Sequence, residues 1–162
     1  MRTERKPERV LDKIDRKILA LLQANARLQM KEIAEQVGLS PAPCIERVKR
    51  LEEQKVIEGY HARVSPEALG LSMLVFIEIS IVEKTSDRVN AFQREIARVP
   101  DVIECYWVSG DFDYLVKARL KNMGDYRRLL LDVLLKVPGA RQVKSSVVIE
   151  EIKNSPVLPI VL

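Results

Sequence analysis

Histidine is nearly absent from this chain: His61 is the only one in 162 residues. A single imidazole cannot furnish a His-based zinc site or a Ser-His-Asp triad, which removes most zinc sites and His-based triads. Cysteine is almost as scarce. Cys44 and Cys105 stand far apart, in no CxxC or other metal-ligand spacing. Both read as buried free thiols of a reducing compartment. Long apolar runs are missing too, and nothing approaches the roughly 20 residues that cross a bilayer. The opening Met1-Arg2-Thr3-Glu4-Arg5-Lys6-Pro7-Glu8-Arg9 is charged and has no apolar core, so no secretion signal is expected and the cytoplasm is. Neither a solenoid-period repeat nor a low-complexity tract occurs. These absences point away from an enzyme, a metal protein and a membrane protein. No catalytic residue, metal or cofactor is expected.

What is present is a chain 47% hydrophobic and 31% charged, the composition of a soluble globular protein. Its length allows two small domains. Charge is distributed unevenly: residues 1–64 hold 14 Lys and Arg against 10 Asp and Glu, and the remainder is balanced. The whole positive excess therefore lies in the first part, as a phosphate-binding face requires.

The most informative stretch is Gly38-Leu39-Ser40-Pro41-Ala42-Pro43-Cys44-Ile45-Glu46-Arg47-Val48-Lys49-Arg50-Leu51. Gly38 can take φ > 0 and end the helix before it. Ser40 suits an N-cap, with Ala42 as the N–H it could hold, and Pro41 suits the first helical position. At 100° per residue Cys44, Ile45, Val48 and Leu51 share one face, and small and basic groups take the other. In Met30–Val37 the apolar residues fall at i, i+3, i+4 and i+7, as on one helical face. Two short helices joined by a tight Gly turn make a helix-turn-helix, although the same periodicity fits an αα-hairpin in an ordinary core. The basic outer face favours double-stranded DNA as partner, with Arg47, Lys49 and Arg50 facing it and Ser40 and Pro43 near the groove.

The run Ile33–Ser40 followed by Cys44–Leu51 resembles the Lrp/AsnC family of transcription regulators. Pro41-Ala42-Pro43-Cys44 is most similar to its leucine-responsive branch. The resemblance spans Asp12 to about Ser155. It implies a DNA-binding regulator with a dimerising C-terminal plait, often assembled into octamers, whose action responds to a free amino acid such as leucine or methionine.

Read in order, residues 1–10 form a mobile arm. Asp12 opens a helix with Asp15 three residues on in a capping-box-like start, and Ile14, Ile18, Leu21 and Leu22 form its buried stripe. The third helix needs a C-terminal turn near Lys55, where the family often has Gly. Ile57–Val64 alternates as a strand, and Ser65–Gly70 reads as a boundary. The expected domains are thus 1–64 for DNA binding, a 65–70 linker, and 71–162. The latter reads as strands at 73–82, 102–108, 114–120 and 143–152. Helices fall at 87–99 and along Tyr126, Leu129, Leu130, Val133, Leu134 and Val137, ended by Pro138-Gly139. The fold class is α+β: a (winged) helix-turn-helix joined to a ferredoxin-like βαββαβ plait. Two helices cover one sheet face. The other, carrying Phe76, Trp107 and Val148, is expected to be apolar and to pair sheet to sheet in a dimer.

Ser109-Gly110-Asp111-Phe112-Asp113-Tyr114 links two strands. By turn chemistry alone it is a solvated hairpin, or a turn whose N–H groups and carboxylates could receive a zwitterion. The resemblance implies the second: Gly110, Asp111 and Asp113 match the family's effector turn, and Trp107, Met123 and Val148 match positions linked to effector response. Ser146 stands where a close relative has Tyr. Two other functions remain open. One is DNA wrapping without effector control; the other is a siroheme-decarboxylase-like enzyme, for which His61 alone offers little acid–base chemistry.

Overall fold

The computed structural model describes residues 11–82, 85–136 and 139–161. The predicted N-terminal arm lies outside them, as do Val137, Pro138 and the side chain of Val133. The chain divides into two compact units, Met1–Ala62 with Asn154–Leu162, and Arg63–Lys153. The last nine residues, expected with the second domain, group with the first.

In the first unit, α1 (Lys13–Ala24), α2 (Met30–Val37) and α3 (Pro41–Glu53) pack around Ile18, Leu22, Ile33, Ala34, Val37, Cys44, Val48 and Leu51. The predicted capping box opens α1: Asp12 accepts from the Asp15 N–H at 2.7 Å and the Asp15 side chain accepts from the Asp12 N–H. Gly38 closes α2 in the left-handed region at φ 73°. Ile45 is exposed rather than on the buried face, because the core contacts of α3 centre on Cys44, Val48 and Leu51. After α3 the N–H groups of Val56 and Ile57 both donate to the Leu51 carbonyl, and Lys55 adopts φ 58°. The strand expected at 57–64 is not formed: none of the described strands lies beside it, and a strand exists only by pairing. Gln23 clasps the C-terminal segment, donating to the Leu158 carbonyl (3.2 Å) and accepting from its N–H (2.8 Å). Arg16 donates to the Val161 carbonyl nearby.

Near the start of the second unit lies a hydrogen-bonded turn over 66–70, where the Ser65 hydroxyl accepts from the Ala68 N–H. Its elements are β1 (Met73–Ile81), α4 (Ser86–Ile96), β2 (Val102–Trp107), β3 (Tyr114–Leu120), α5 (Met123–Arg128) and β4 (Ala140–Val147). After α5 the helix continues as a π-turn over Leu129–Val133 and a 3-10 turn over Leu134–Lys136. The sheet is antiparallel in the order β2-β3-β1-β4, which is the expected plait. Val75, Ile77, Ile79, Tyr114, Val116 and Ala118 meet Phe92, Ile96, Leu129 and Leu134 of the helical layer. β4 begins and ends earlier than expected. β1 starts at Met73, so the ladder stops at Val75 opposite Val147, and Ile149 and Ile152 stand in solvent.

The open sheet face departs from expectation in two ways. The β2–β3 register shifts between Val102 and Glu104, so one residue of β2 has no opposite number and strict alternation inverts past it. Trp107 therefore pairs with the core residue Tyr114 and lies on the helical side, away from Phe76. The open face is also mixed rather than apolar. Cross-strand pairs set Leu74 beside Arg119, Phe76 beside Lys117, and Glu78 beside Leu115 and Lys144. Cys105, expected to be buried, is exposed on edge strand β2, which has a neighbour on one side only.

The strained Lys55 sets a test. Lys55→Gly relieves a left-handed side-chain clash and should stabilise the protein by a few tenths to about 1 kcal/mol, measured by urea denaturation.

Candidate functional site

The outer face of α3 is defined by what holds its inner face. Cys44, Val48 and Leu51 are buried, and burial pushes the Cys44 thiol pKa up. Ala42, Pro43, Ile45, Glu46, Lys49 and Arg50 are exposed, and Arg47 is half-buried. Pro41 occupies the first turn as predicted. Ser40 sits at the N-cap position, but its hydroxyl holds no backbone N–H; its carbonyl accepts from Cys44 instead.

The two arginines turn back toward α1. Asp15 is 2% exposed, and its carboxylate accepts from Arg47 at 2.9 Å and from Arg50 at 2.9 and 2.8 Å. Arg47 also pairs with Asp12. The Asp12 carboxyl is held below its ordinary pKa, first by the Asp15 N–H and then by Arg47, and the Arg47 pKa is raised, chiefly by Asp12 and then Asp15. A carboxylate this deep needs paired donors, and two guanidinium forks supply them. Lys49 instead extends outward, and among the described residues its ion pairing is limited to a long 3.7 Å contact to Glu53 between two exposed groups. Such a pair contributes little, leaving the ammonium available to a phosphate. The outward groups of the predicted set are thus Ser40, Pro43 and Lys49, with part of Arg50. The partnership with Asp15 was not legible in the sequence, where Asp15 reads only as a cap.

In the second unit the Ser109–Asp113 turn is anchored at one residue. Asp113 is 7% exposed; its N–H donates to the Ile79 carbonyl (3.0 Å), and its carboxylate accepts from the Ile81 N–H (2.9 Å). The side chain thus supplies the ladder acceptor that β3 no longer provides. Gly110 takes φ 145°, a conformation side chains resist. Asp111 and Phe112 fold against Glu78, Ser80, Gln142 and Lys144 around a cavity of about 30 Å³. Carboxylates and an ammonium facing one small space suit a zwitterion. The volume holds a water and not an amino acid, since ligand pockets run to about 300 Å³ or more. Trp107 faces the helical side of β2, Met123 is exposed at the first turn of α5, and the Val148 N–H donates to the Leu74 carbonyl past the end of β4. The six predicted effector positions do not converge on one cavity within a protomer.

Comparison with known proteins accords with both halves. Residues 11–58 match the model for a winged helix-turn-helix DNA-binding domain, and residues 74–158 match the Lrp/AsnC ligand binding domain. The chain is 44% identical over 153 residues to the leucine-responsive regulatory proteins of Escherichia coli and Salmonella typhimurium, covering 94% of this chain and 93% of theirs. A Neisseria meningitidis transcriptional regulator solved with L-methionine superposes with a TM-score of 0.87 at 39% identity, over 93% of this chain and 97% of that one. An AsnC-family regulator of Agrobacterium tumefaciens gives 0.87 at 32% identity, over 92% and 97%.

Two outcomes follow from the Asp15 cluster. Asp15→Ala leaves two arginines without their carboxylate and should cost about 1–3 kcal/mol in denaturant titration, between an exposed and a fully buried pair. The second concerns acid. A depressed Asp12 pKa stabilises the fold at pH values above the ordinary 3.8, and that stabilisation is lost as pH falls through the lower folded value. Thermal midpoints of Asp12→Asn should therefore fall less steeply below about pH 4 than those of the parent.

Proposed function

The chain belongs to the Lrp/AsnC family, and from that premise we propose that α3 reads duplex DNA while the Gly110–Asp113 turn takes leucine or methionine. It is a DNA-binding transcription regulator with an amino-acid-binding domain, and not an enzyme. The observation that carries the DNA reading is the exposed N-terminal face of α3, set on a three-helix core. Ser40 and Pro43 lie where the helix enters the major groove, and Lys49 offers a charge to the backbone phosphates. Arg50 keeps part of its guanidinium side exposed and reaches DNA from there; Arg47 joins it at the rim while holding the helix to α1.

For the effector, the pocket supplies the recognition chemistry and not the volume. Asp111 and Glu78 suit an ammonium, and Lys144 suits a carboxylate. Asp113 holds the turn in place through the Ile81 N–H. A cavity this small is completed by a second subunit, which brings Trp107, Met123 and Val148 of neighbouring protomers within range. The protein accordingly works as a dimer built on the open sheet face, and as larger assemblies up to an octamer, in the cytoplasm. Phe76, Leu115 and Tyr106 supply apolar contacts on that face, and the charged rows set its register. An amino acid shifts assembly or DNA affinity by its differential affinity for the two states. The separation of functions follows 1–64, the 65–70 linker and the part of 71–162 that ends at Lys153, the last nine residues packing with the first unit.

Calorimetry with leucine and methionine tests the effector reading. The parent should bind at least one of them, and Asp111→Ala should lose about 1.5–3 kcal/mol as a charge-assisted contact disappears. Absence of heat with either ligand, or equal binding by the variant, overturns the assignment. On the DNA side, Lys49→Ala should weaken binding across sequences and lower the salt slope by about one. Arg50→Ala should weaken specific binding by about 1–3 kcal/mol at one fixed salt concentration. Unchanged affinity in both variants removes α3 from the interface. Salt-dependent binding with and without amino acid distinguishes this regulator from a wrapping protein indifferent to ligand.

A further inference from the structure

The acidic pair at the start of α1 meets α3 on the stripe that carries Pro43, Arg47 and Arg50, which recur at i, i+4 and i+7. The two carboxylates differ in setting. The Asp15 side chain is 3% exposed and holds both arginines, so its charge belongs to the packing of the unit. The Asp12 side chain is 49% exposed, and of the two arginines it meets Arg47 alone, at 2.5 Å.

The structural tasks of Asp12 do not call for its charge. As the N-cap of α1 it accepts the Asp15 N–H at 2.7 Å, which an asparagine oxygen does as well. A half-exposed ion pair adds little to stability. The helix dipole favours an anion there, but Asp15 already supplies one in the first turn. The charge does alter the electrostatics of the DNA face. Along α3, Arg47, Lys49 and Arg50 are matched one for one by Glu46, Glu52 and Glu53, so the helix carries no basic surplus of its own. Asp12 offsets a further positive charge on its outer stripe.

The geometry also restrains that charge. Among the described residues, every hydrogen bond of Arg47 leaves from Nη1, to Asp12 and to Asp15 (2.9 Å). The Nε and Nη2 edge of the fork makes none of them, and the side chain is 26% exposed. A guanidinium pinned at one nitrogen by two carboxylates offers its remaining edge in one orientation and does not swing to follow phosphates. Sequence-independent binding is held by phosphates alone, so a cation withheld from them counts in full. Docking on a matched sequence is fixed by base contacts as well, and a held donor still serves where a phosphate lies in register.

Resting on the reading of α3 as the DNA-contacting helix, we propose that Asp12 is a specificity-determining residue. Its carboxylate restrains Arg47 and depresses affinity for duplexes of arbitrary sequence more than affinity for the recognised site. It acts through Arg47, as a positioning residue.

The test titrates full-length protein across salt concentrations with two probes, a random-sequence duplex and a duplex selected by the parent from a random pool. Asp12→Asn keeps the cap and removes the charge. At about 0.1 M salt it should bind the random duplex about three- to ten-fold more tightly, with a salt slope steeper by about 0.9, the weight of one phosphate contact. Its gain on the selected duplex should be about two-fold or less, so the ratio between the probes falls. Asp12→Ser, a second uncharged cap, should behave alike, and Asp12→Glu should return the random-duplex affinity toward the parent's. Arg47→Ala, alone and combined with Asp12→Asn, completes a double-mutant cycle in which the gain should vanish without Arg47. A purely structural Asp12 leaves both slope and ratio unmoved. The proposal is overturned by unchanged random-duplex affinity in Asp12→Asn and Asp12→Ser, by an equal gain on both probes, or by a gain that survives the loss of Arg47. If the parent binds neither duplex, or Lys49→Ala and Arg50→Ala both match it, the reading of α3 itself fails and the proposal with it.

Discussion

The carboxylate of Asp15 sits almost out of water at the start of α1, and both arginines of α3 converge on it. A buried anion is costly unless it is paired and hydrogen-bonded, so its donors are not interchangeable with solvent. Asp12 adds a second negative group beside Arg47, which balances two cations with two anions. The apolar contacts of Cys44, Val48 and Leu51 are non-directional and would tolerate some rotation of α3. Hydrogen bonds from two guanidinium forks to one carboxylate do not. The cluster therefore sets the rotation of α3 on the core, and with it the groups that point away: Ser40, Pro43, Ile45, Glu46 and Lys49.

A similar substitution of side chain for main chain organises the ligand-binding half. Asp113 stands just before β3 begins, where β1 runs on past its partner, and its carboxylate accepts the Ile81 N–H that would otherwise be left unsatisfied. This fixes the base of the turn and allows Gly110 and Asp111 to project. An acidic residue in a Gly-containing loop reads as a ligand contact, but burial and a backbone partner give Asp113 a structural task. Asp111, two residues earlier and exposed, carries the charge that faces Glu78, Gln142 and Lys144.

The edge strand shows how one residue redirects a surface. Without the bulge, Trp107 would join Phe76 on the open sheet face and enlarge an apolar interface. With it, Trp107 stacks on Tyr114, and the open face is left as alternating charged and apolar rows. Mixed rows of this kind are poorly suited to indiscriminate association and well suited to a single register, since a shift would bring like charges together.

Much of this molecule is written in local sequence. The capping box at Asp12, the left-handed Gly38, Pro41 in the first turn of α3 and the unfavourable Lys55 follow from what each residue's backbone allows, and each stands where the sequence places it. The βαββαβ order follows from the change of hydrophobic period between two and 3.6 along residues 73–147. The helix-turn-helix and its family are legible because turn, cap and apolar spacing coincide within one short stretch. Other features depend on which segments meet. Among the described residues the strand expected at 57–64 has no neighbour to pair with, and β4 stops opposite the start of β1. Trp107 changes sides because of a register shift invisible to alternation, Cys105 is exposed because β2 is an edge, and Asp15 is a cap that is also an ion-pair partner for a helix some thirty residues away. Local patterns specify dihedral angles and apolar faces, which need only near neighbours in the chain. Pairing, register and the partners of buried charges are settled between segments distant in sequence, and only the tertiary structure decides them.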